Sequence, residues 1–159
     1  MVELRERPFS QFNFRVSWSP ARDCEGADVG EDTIQAGFQE VSGLGMETTV
    51  AEYRAGDAAT NEPIKVSGTV KTADVTFKRG LIGDLDIYTW LNEVRNGSQN
   101  QLKNVTVKLM SEDRITVAQE WRLFNARPMK YVGPSLNGKG TDISIEELVL
   151  AAERIEVES

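Results

Sequence analysis

The sequence predicts a mainly β domain with one α-helix, on three observations. Several segments alternate apolar and polar residues at the period of a half-buried strand. Loops rich in glycine, proline and acidic residues separate these segments, as is typical of the connections between short strands. The clearest helix is predicted at residues 84–96, where apolar side chains recur at helical spacing between recognisable helix ends. The chain has 159 residues, 40% of them hydrophobic, which is enough to bury a core, and we expect a single domain over residues 1–159.

The first strand is predicted in FNFRVSW, residues 12–18. Four apolar residues alternate there with polar ones and share a face: Phe12, Phe14, Val16 and Trp18. Residues 19–33 contain proline, glycine and several acids, so we expect an exposed loop. A second strand begins in GFQEVSGLG, residues 37–45, where Gly43 and Gly45 indicate a bulge or a turn with positive φ.

The chain then continues mainly in extended structure. METTVAEYR (46–54) resumes a strand, AGDAATNEP (55–63) is a loop, and IKVSGTV (64–70) and ADVTFK (73–78) are further strands. Five apolar residues of the last two segments are available for the core: Ile64, Val66, Val70, Val75 and Phe77.

The helix is predicted in GDLDIYTWLNEVRNG. Asp84 is a candidate N-cap, and the negative charge of Asp86 favours the first turn because it opposes the helix dipole. The pair Asn96-Gly97 is typical of a helix end. Four apolar residues at i, i+3, i+4 and i+7 form the buried stripe: Ile87, Trp90, Leu91 and Val94.

The segments NVTVKLMS and ITVAQEWRLF flank an acidic turn and predict a β-hairpin, with Val105, Val107 and Leu109 on one face. The final segment, ISIEELVLAAERIEV at residues 143–157, is ambiguous. Its Leu, Ala and Glu residues and a helical apolar period favour a helix by propensity, although apolar residues also recur at the period of a strand.

Composition excludes several function classes. The sequence contains no histidine, which removes the commonest general base, the histidine-activated nucleophiles and histidine-based zinc sites. We therefore expect no enzyme, no cofactor and no metal site. The net charge of −7 argues against nucleic acid as a partner. A single cysteine, Cys24, excludes an internal disulfide and fits synthesis in a reducing cytoplasm.

Two motifs that suggest ligand binding are better explained as loops. GPSLNGKGT, residues 133–141, approaches the spacing of a phosphate-binding P-loop, but Gly140 stands where Ser or Thr normally binds the metal. We predict a tight loop between strands. The acidic residues of the 19–33 loop lack the ligand order of an EF-hand, and we expect them to be solvated. They are Asp23, Glu25, Asp28, Glu31 and Asp32.

Several stretches, taken in order, resemble the inner tube proteins of contractile injection systems, which are related to the tail tube proteins of contractile-tailed phages. The matching stretches cover nearly the whole chain: RPFSQFNFRV, GFQEVSGLGMETTVAEYRAGD, VTFKRGLIGDLDIYTWLNEVRNG, NVTVKLMSEDR and WRLFNARPMKYVGPSLNGKGTDISIEELVLAAERIEVE.

This resemblance implies two packed β-sheets in a barrel-like tail-tube fold, with one helix at the side. For residues 143–157 it implies a final strand with Leu148, Leu150 and Ala152 buried, against the helix that propensity favours. The family has a shorter connection after its first strand, so residues 19–33 are expected to be a local elaboration at a ring surface.

The resemblance also implies an assembly. Six copies form a ring whose inner strands join edge to edge around a lumen, and rings stack into a rigid tube. A contractile sheath surrounds the tube and propels it through a target membrane. The implied partners are further copies of the chain, a sheath protein, baseplate and spike proteins and lumenal cargo proteins, with no nucleic acid outside a phage tail. The particle is expected to assemble after synthesis in the cytoplasm.

Within this family we favour the main tube subunit. The alternatives are a tube-initiating paralogue at the baseplate and a monomeric β-rich binding module. The segment of about residues 43–61 resembles the family's extended hairpin, which contacts the next ring. The residues expected to matter for this stacking are Gly43, Gly45, Glu47, Tyr53, Arg54 and Gly56.

Overall fold

The computed structural model describes residues 8–20 and 34–159, and these ranges contain ten strands and one helix. The helix α1 spans Asp86–Arg95. The strands are β1 (Phe14–Pro20), β2 (Ile34–Ala36), β3 (Glu40–Ser42), β4 (Met46–Tyr53), β5 (Ile64–Thr72), β6 (Val75–Gly80), β7 (Lys103–Met110), β8 (Val117–Val132), β9 (Ile145–Ala151) and β10 (Arg154–Glu158). Most of the predicted acidic loop, residues 21–33 with Cys24 and the candidate cation ligands, lies outside the described residues.

Two sheets share the long strand β8. Sheet A has the order β2-β1-β7-β8, and β10 pairs with the other edge of β8. Sheet B has the order β8-β9-β6-β3. All of these pairs are antiparallel, and the first part of β8 belongs to sheet A while residues 127–132 belong to sheet B. Among the described residues, the strands β4 and β5 pair only with each other.

The chain crosses between the sheets at a corner in β8. Asn125 has φ +51, which asparagine tolerates better than most residues. Its backbone N–H donates to Asn104 Oδ1 at 3.1 Å, and its side-chain amide donates to Glu153 Oε2 at 3.0 Å. Glu153 lies between β9, which belongs to sheet B, and β10, which belongs to sheet A. The chain therefore crosses between the sheets a second time next to the corner in β8.

The core lies between sheets A and B, where apolar side chains from both inner faces interdigitate. Sheet A contributes Val16, Trp18, Val105, Val107, Leu123 and Ile155, sheet B contributes Val75, Phe77, Leu148 and Leu150, and α1 contributes Ile87 and Trp90. This arrangement confirms the predicted fold class, mainly β with two packed sheets and one helix. The predicted β7–β8 hairpin is also confirmed.

The predicted helix is confirmed as α1. Ile87 and Trp90 are buried, and the helix ends at Arg95 with Asn96 as its C-cap, before Gly97, which has φ +103. The N-cap position is Leu85 and not the predicted Asp84, but the Asp84 carboxylate accepts the N–H of Asp86, the first residue of the helix, at 3.2 Å. The carboxylate of Asp86 accepts the N–H of Ile87 at 2.8 Å and so satisfies a donor of the first turn.

The final segment is extended, which confirms the strand and makes the propensity-favoured helix wrong. The strand β9 pairs with β6 on one side and β8 on the other, and two full ladders outweigh a helix preference of tenths of a kcal/mol per residue. Leu148 and Leu150 are buried and Ala152 is half-buried. The segment breaks at Ala152–Glu153, because β10 continues in sheet A.

Part of the predicted core is wrong. Val75 and Phe77 of β6 are buried as expected. Ile64, Val66 and Val70 are more than half exposed, because β5 belongs to the separate β4–β5 hairpin and packs on neither sheet. Alternation identified an apolar face correctly, but nothing in residues 8–20 and 34–159 covers it.

Candidate assembly surfaces

The β4–β5 hairpin is an exposed two-stranded ribbon. Every residue of β4 and all but Thr72 of β5 are exposed, and the ladder runs from Met46–Thr72 to Tyr53–Ile64. At about 3.3 Å per residue, β4 is about 25 Å long. A two-stranded ribbon is at best marginally stable in water. Its exposure therefore indicates that another surface covers it.

The root of the hairpin is fixed by Gly43. This residue has φ +87, and a Cβ added to it would lie 2.2 Å from the carbonyl oxygen of Asp74. The positive φ predicted here is confirmed for Gly43, whereas Gly45 does not have one. Gly45 instead accepts a hydrogen bond from the N–H of Ala73 at 3.0 Å, which closes the root before the ladder begins.

The predicted stacking residues fall at both ends of the hairpin. Gly43, Gly45 and Glu47 lie at the root, and Glu47 is paired in register with Lys71. The other three, Tyr53, Arg54 and Gly56, lie at the distal end. The predicted range of about 43–61 is too short, because the return strand β5 extends the hairpin to Thr72.

The distal turn is closed by Arg54. Its Nε donates to the carbonyl of Thr60 at 3.1 Å, and its guanidinium also donates to the carbonyl of Ala58 at 3.3 Å. Next to this turn, Tyr53 and Ile64 are 64% and 65% exposed and lie opposite each other. The distal end of the hairpin is therefore ordered and presents apolar surface.

Both faces of the hairpin carry apolar residues. Tyr53, Ala51, Ile64 and Val66 share one face by register, and Met46, Val50 and Val70 share the other. The pairing shifts by one residue near Gly68. A hairpin with water on both faces is expected to be polar on both, so this pattern is typical of a segment that inserts between other surfaces.

Sheet B has two open edges among the described residues. One is the outer edge of β3, and the other is the part of β8 beyond the corner, residues 127–132. An apolar groove of about 720 Å³ lies beside the β3 edge. Its lining includes Phe12, Phe14, Leu44, Leu109 and Trp121. Unpaired edges next to apolar surface are sites at which another chain can add a strand.

The outer face of sheet B is polar with mixed charge. Glu40, Lys78 and Glu147 lie side by side across three strands, and Lys78 Nζ is 3.7 Å from Glu40 Oε2. The adjacent row contains Thr76 and Lys130 on either side of Val149. Sheet B is thus apolar inside, solvated outside and unpaired at both edges.

A buried ionic cluster holds α1 against the end of sheet B. The side chain of Arg79 is 1% exposed and donates to Glu146 Oε1 at 2.7 Å and to Asp86 Oδ1 at 2.8 Å. It also donates to the backbone carbonyl of Asp84 at 3.3 Å. The pKa of Arg79 is raised: burial, the largest influence, lowers it, and the hydrogen bonds and charges of Asp86 and Glu146 outweigh that effect.

Sequence analysis missed this cluster, although a signal was present. Arg79 is in phase with the buried residues Val75 and Phe77, and Glu146 is in phase with Leu148 and Leu150. A charged residue at an inward position of each of two paired strands predicts an internal ion pair.

Tyr131 joins the same cluster and gives it a pH dependence. Burial raises the pKa of its phenol, as does the hydrogen bond that its hydroxyl donates to Glu146 Oε2 at 3.0 Å. Because the folded-state pKa exceeds the unfolded value of about 10, this stabilisation is complete below that pH and is lost as the pH rises through the folded-state pKa.

We therefore expect Tyr131→Phe to flatten the loss of stability above about pH 10, because the variant has no phenol to ionise there. Urea denaturation of both proteins between pH 8 and 11 measures this. Equal alkaline slopes for the two proteins would contradict the assignment.

Within the described residues, no group of three or more Asp, Glu or Cys side chains is placed to hold a metal ion. No helix in residues 8–20 and 34–159 has the length and apolar character required to span a membrane. Lys139 lies in a turn in which its N–H donates to Asn137 Oδ1, and the strand β9 follows where a P-loop requires a helix.

The chain matches a protein-family model over residues 10–156, and that family is described as the T4-like virus tail tube protein gp19. Comparison with curated protein sequences gives no significant match.

Solved structures of similar fold cover nearly the whole chain. A chain of the PVC extracellular contractile injection system, from its sheath–tube complex in the extended state, is 25% identical, covers 97% of this chain and 93% of its own length, and has a TM-score of 0.79. A chain of the anti-feeding prophage baseplate is 18% identical with 98% coverage of both chains and a TM-score of 0.82. Hcp1 from Flavobacterium johnsoniae is 16% identical, with coverage of 90% and 94% and a TM-score of 0.53.

Proposed function

This chain belongs to the T4-like virus tail tube protein gp19 family, and from that premise we propose that it is the main subunit of the inner tube of a contractile injection system. It is a structural protein and not an enzyme, because the family it belongs to and the contractile injection system chain it matches are tube proteins. The match to a chain of the PVC sheath–tube complex, at 25% identity over nearly the full length of both chains, supports the injection system. We also propose that residues 1–159 form one tail-tube-like domain.

The observation that carries the proposal is the pair of open edges on sheet B. Its four strands alternate in direction, so β3 at one edge runs antiparallel to β8 at the other. An even number of alternating strands lets the β3 edge of one subunit pair antiparallel with the β8 edge of the next. Six copies would then close a barrel of 24 strands and leave no free edge.

In such a closed barrel, the outer face of sheet B and the groove beside β3 would each have a definite position. The mixed-charge outer face of sheet B, with Glu40, Lys78 and Glu147, would line the lumen. The groove beside β3 would be covered by the neighbouring subunit, which accounts for its apolar lining.

Stacking of rings is assigned to the β4–β5 hairpin, with Gly43, Gly45, Glu47, Tyr53, Arg54 and Gly56 as its contributing residues. Its exposure on both faces and its ordered distal turn support this role. The remaining proposed partners are a sheath protein, the baseplate and spike proteins and lumenal cargo. The subunit is made in the cytoplasm and enters a phage-tail-like particle whose tube crosses a target membrane.

Negative-stain microscopy of the purified protein, alone and with its sheath and baseplate partners, tests the proposal. We expect hollow rings, and stacks of rings continuous through the sheathed particle. A protein found only beside the baseplate would identify the tube initiator instead, and a protein that forms no ring under either condition would reject the tube function.

Charge reversal at the hairpin should separate stacking from folding. We expect Glu47→Lys and Arg54→Glu to reduce stack length. Glu47→Lys should change the free energy of unfolding by about 0.5 kcal/mol or less, because its side chain is exposed. Arg54→Glu should cost about 1 kcal/mol, because it also removes the hydrogen bonds that close the distal turn. Stack length is measured by microscopy and stability by urea denaturation. Glu93→Lys, on the exposed surface of α1, is the control. Parent-length stacks from both hairpin variants would refute the assignment.

A further inference from the structure

An exposed apolar patch lies at the end of sheet B away from the hairpin root. Ile82 and Ile143 are 74% and 82% exposed, and Leu81 and Leu85 are also exposed. These four residues form what we call the terminal patch. Single exposed apolar residues are common, but four neighbouring aliphatic side chains indicate a contact surface.

The terminal patch is held in a fixed shape. The N–H of Leu81 donates to the carbonyl of Ser144 at 2.9 Å, which continues the β6–β9 ladder one residue beyond Gly80–Ile145. Further continuation of this register places Ile82 beside Ile143. The buried Arg79 donates to the carbonyl of Asp84 and so holds the chain just before Leu85. The patch is therefore preorganised.

The hairpin and the terminal patch occupy opposite ends of one strand. The strand β6 begins at Val75, next to Asp74, whose carbonyl lies against Gly43 at the hairpin root. It ends at Gly80, directly before the patch. Six residues at about 3.3 Å each separate the two ends by roughly 17 Å. In the part of the chain that the structure describes, each subunit thus has one uncovered apolar surface at each end of sheet B.

We propose that the terminal patch receives the β4–β5 hairpin of a subunit in the adjacent ring. This rests on the proposed tube function and names the partner surface of the stacking hairpin. Two different surfaces at opposite ends of a subunit form a contact that repeats head to tail without closing, as a tube requires. The hairpin is about 25 Å long and presents Tyr53, Ile64 and Val66, which match an aliphatic receiving surface.

The charges at the two ends are also compatible. Asp84 and Asp142 adjoin Leu85 and Ile143 in the sequence and so lie at the rim of the terminal patch, and Arg54 lies at the distal end of the hairpin. Asp84 Oδ2 is also 4.0 Å from Nη1 of the buried Arg79. The hydrogen bonds of Arg54 to two carbonyls leave its positive charge without a carboxylate partner in the hydrogen bonds and ion pairs that the structure shows for it. A docked hairpin would bring this cation near the two rim carboxylates.

Complementary single variants test this pairing. Ile82→Asp places a charge in the terminal patch, and Ile64→Asp places one in the hairpin. Both side chains are exposed in the isolated subunit, so each variant should fold and form rings. We expect each variant alone to reduce the fraction of rings in stacks by about ten-fold or more, because the contact would bury an unpaired charge. Ile115→Asp is the matched control, since Ile115 is 82% exposed but lies outside both surfaces.

Mixing preformed rings of the two variants tests whether the hairpin is what binds the terminal patch. Ile82→Asp rings keep an intact hairpin and Ile64→Asp rings keep an intact patch, so one junction can form between them and no second junction can follow. We expect stacks of two rings by negative-stain microscopy, formed only in the mixture. Mixtures without ring pairs would overturn the proposal, since the hairpin would then not be what the patch binds. Parent-length stacks of Ile82→Asp would overturn it as well.

Whether the unmodified protein forms rings distinguishes a failure of this inference from a failure of the proposed function. If the unmodified protein forms stacked rings while Ile82→Asp stacks equally well, the terminal patch is not the receiving surface and the tube function stands. If the unmodified protein forms no rings, the proposed function itself fails.

Discussion

Arg79→Ala is expected to lower the free energy of unfolding by about 3–5 kcal/mol, because it leaves buried carboxylates without their cation. Arg79 is 1% exposed and is paired with Glu146 and Asp86, and the Glu146 side chain is itself 4% exposed. Losing this pairing also frees the start of α1 from sheet B. Urea denaturation followed by circular dichroism measures the loss.

An exposed ion pair provides the control. Arg127 is 3.4 Å from Glu153, with both side chains more than half exposed, so Arg127→Ala should cost about 1 kcal/mol or less. The double variant Arg79→Met, Glu146→Met should recover much of the loss, because it removes most of the buried charge together. An Arg79→Ala cost as small as that of Arg127→Ala would show that the cluster does not anchor the helix.

Gly43→Ala is the second substitution with a large expected effect, and it should lower the free energy of unfolding by about 2–4 kcal/mol. The new Cβ would lie 2.2 Å from the carbonyl oxygen of Asp74, at a residue with φ +87. The backbone must move, and the hairpin root moves with it. Stacking should therefore fall together with stability, as measured by microscopy and urea denaturation.

Substitutions at two other glycines separate the effect of the close contact with Asp74 from the effect of the positive φ. Gly83 has φ +84 with open space around it, so Gly83→Ala should show conformational strain alone, about 1 kcal/mol. Gly45 has neither a positive φ nor a nearby atom, and Gly45→Ala should be close to neutral. If Gly43→Ala costs no more than Gly83→Ala, the contact with Asp74 does not constrain the root.

Local sequence patterns predicted the elements that pack against other parts of the same chain. The alternation of β1 and the apolar stripe of α1 each match a surface that the core covers, so the buried residues Val16, Trp18, Ile87 and Trp90 were predictable. The same alternation in β5 did not place Ile64 and Val66, because a sequence pattern marks an apolar face without showing which surface covers it.

Propensity failed where long-range pairing decides the structure. Residues 143–157 favour a helix locally, but β9 lies between β6 and β8, and its backbone groups are satisfied only as a strand. The corner at Asn125 had no strong local signal, since it depends on Asn104 and Glu153 from distant parts of the chain. The exposed surfaces proposed for assembly became recognisable only when the open edges of sheet B and the isolated hairpin were placed in the fold.

Native mass spectrometry of the purified protein tests the central claim most directly. Closure of sheet B through its β3 and β8 edges predicts a closed ring, and the resemblance to tail tube proteins implies six copies of the 17.7 kDa chain, about 106 kDa, with multiples of that mass where rings stack. A single species of 17.7 kDa at every concentration, and in the presence of sheath and baseplate partners, would contradict it.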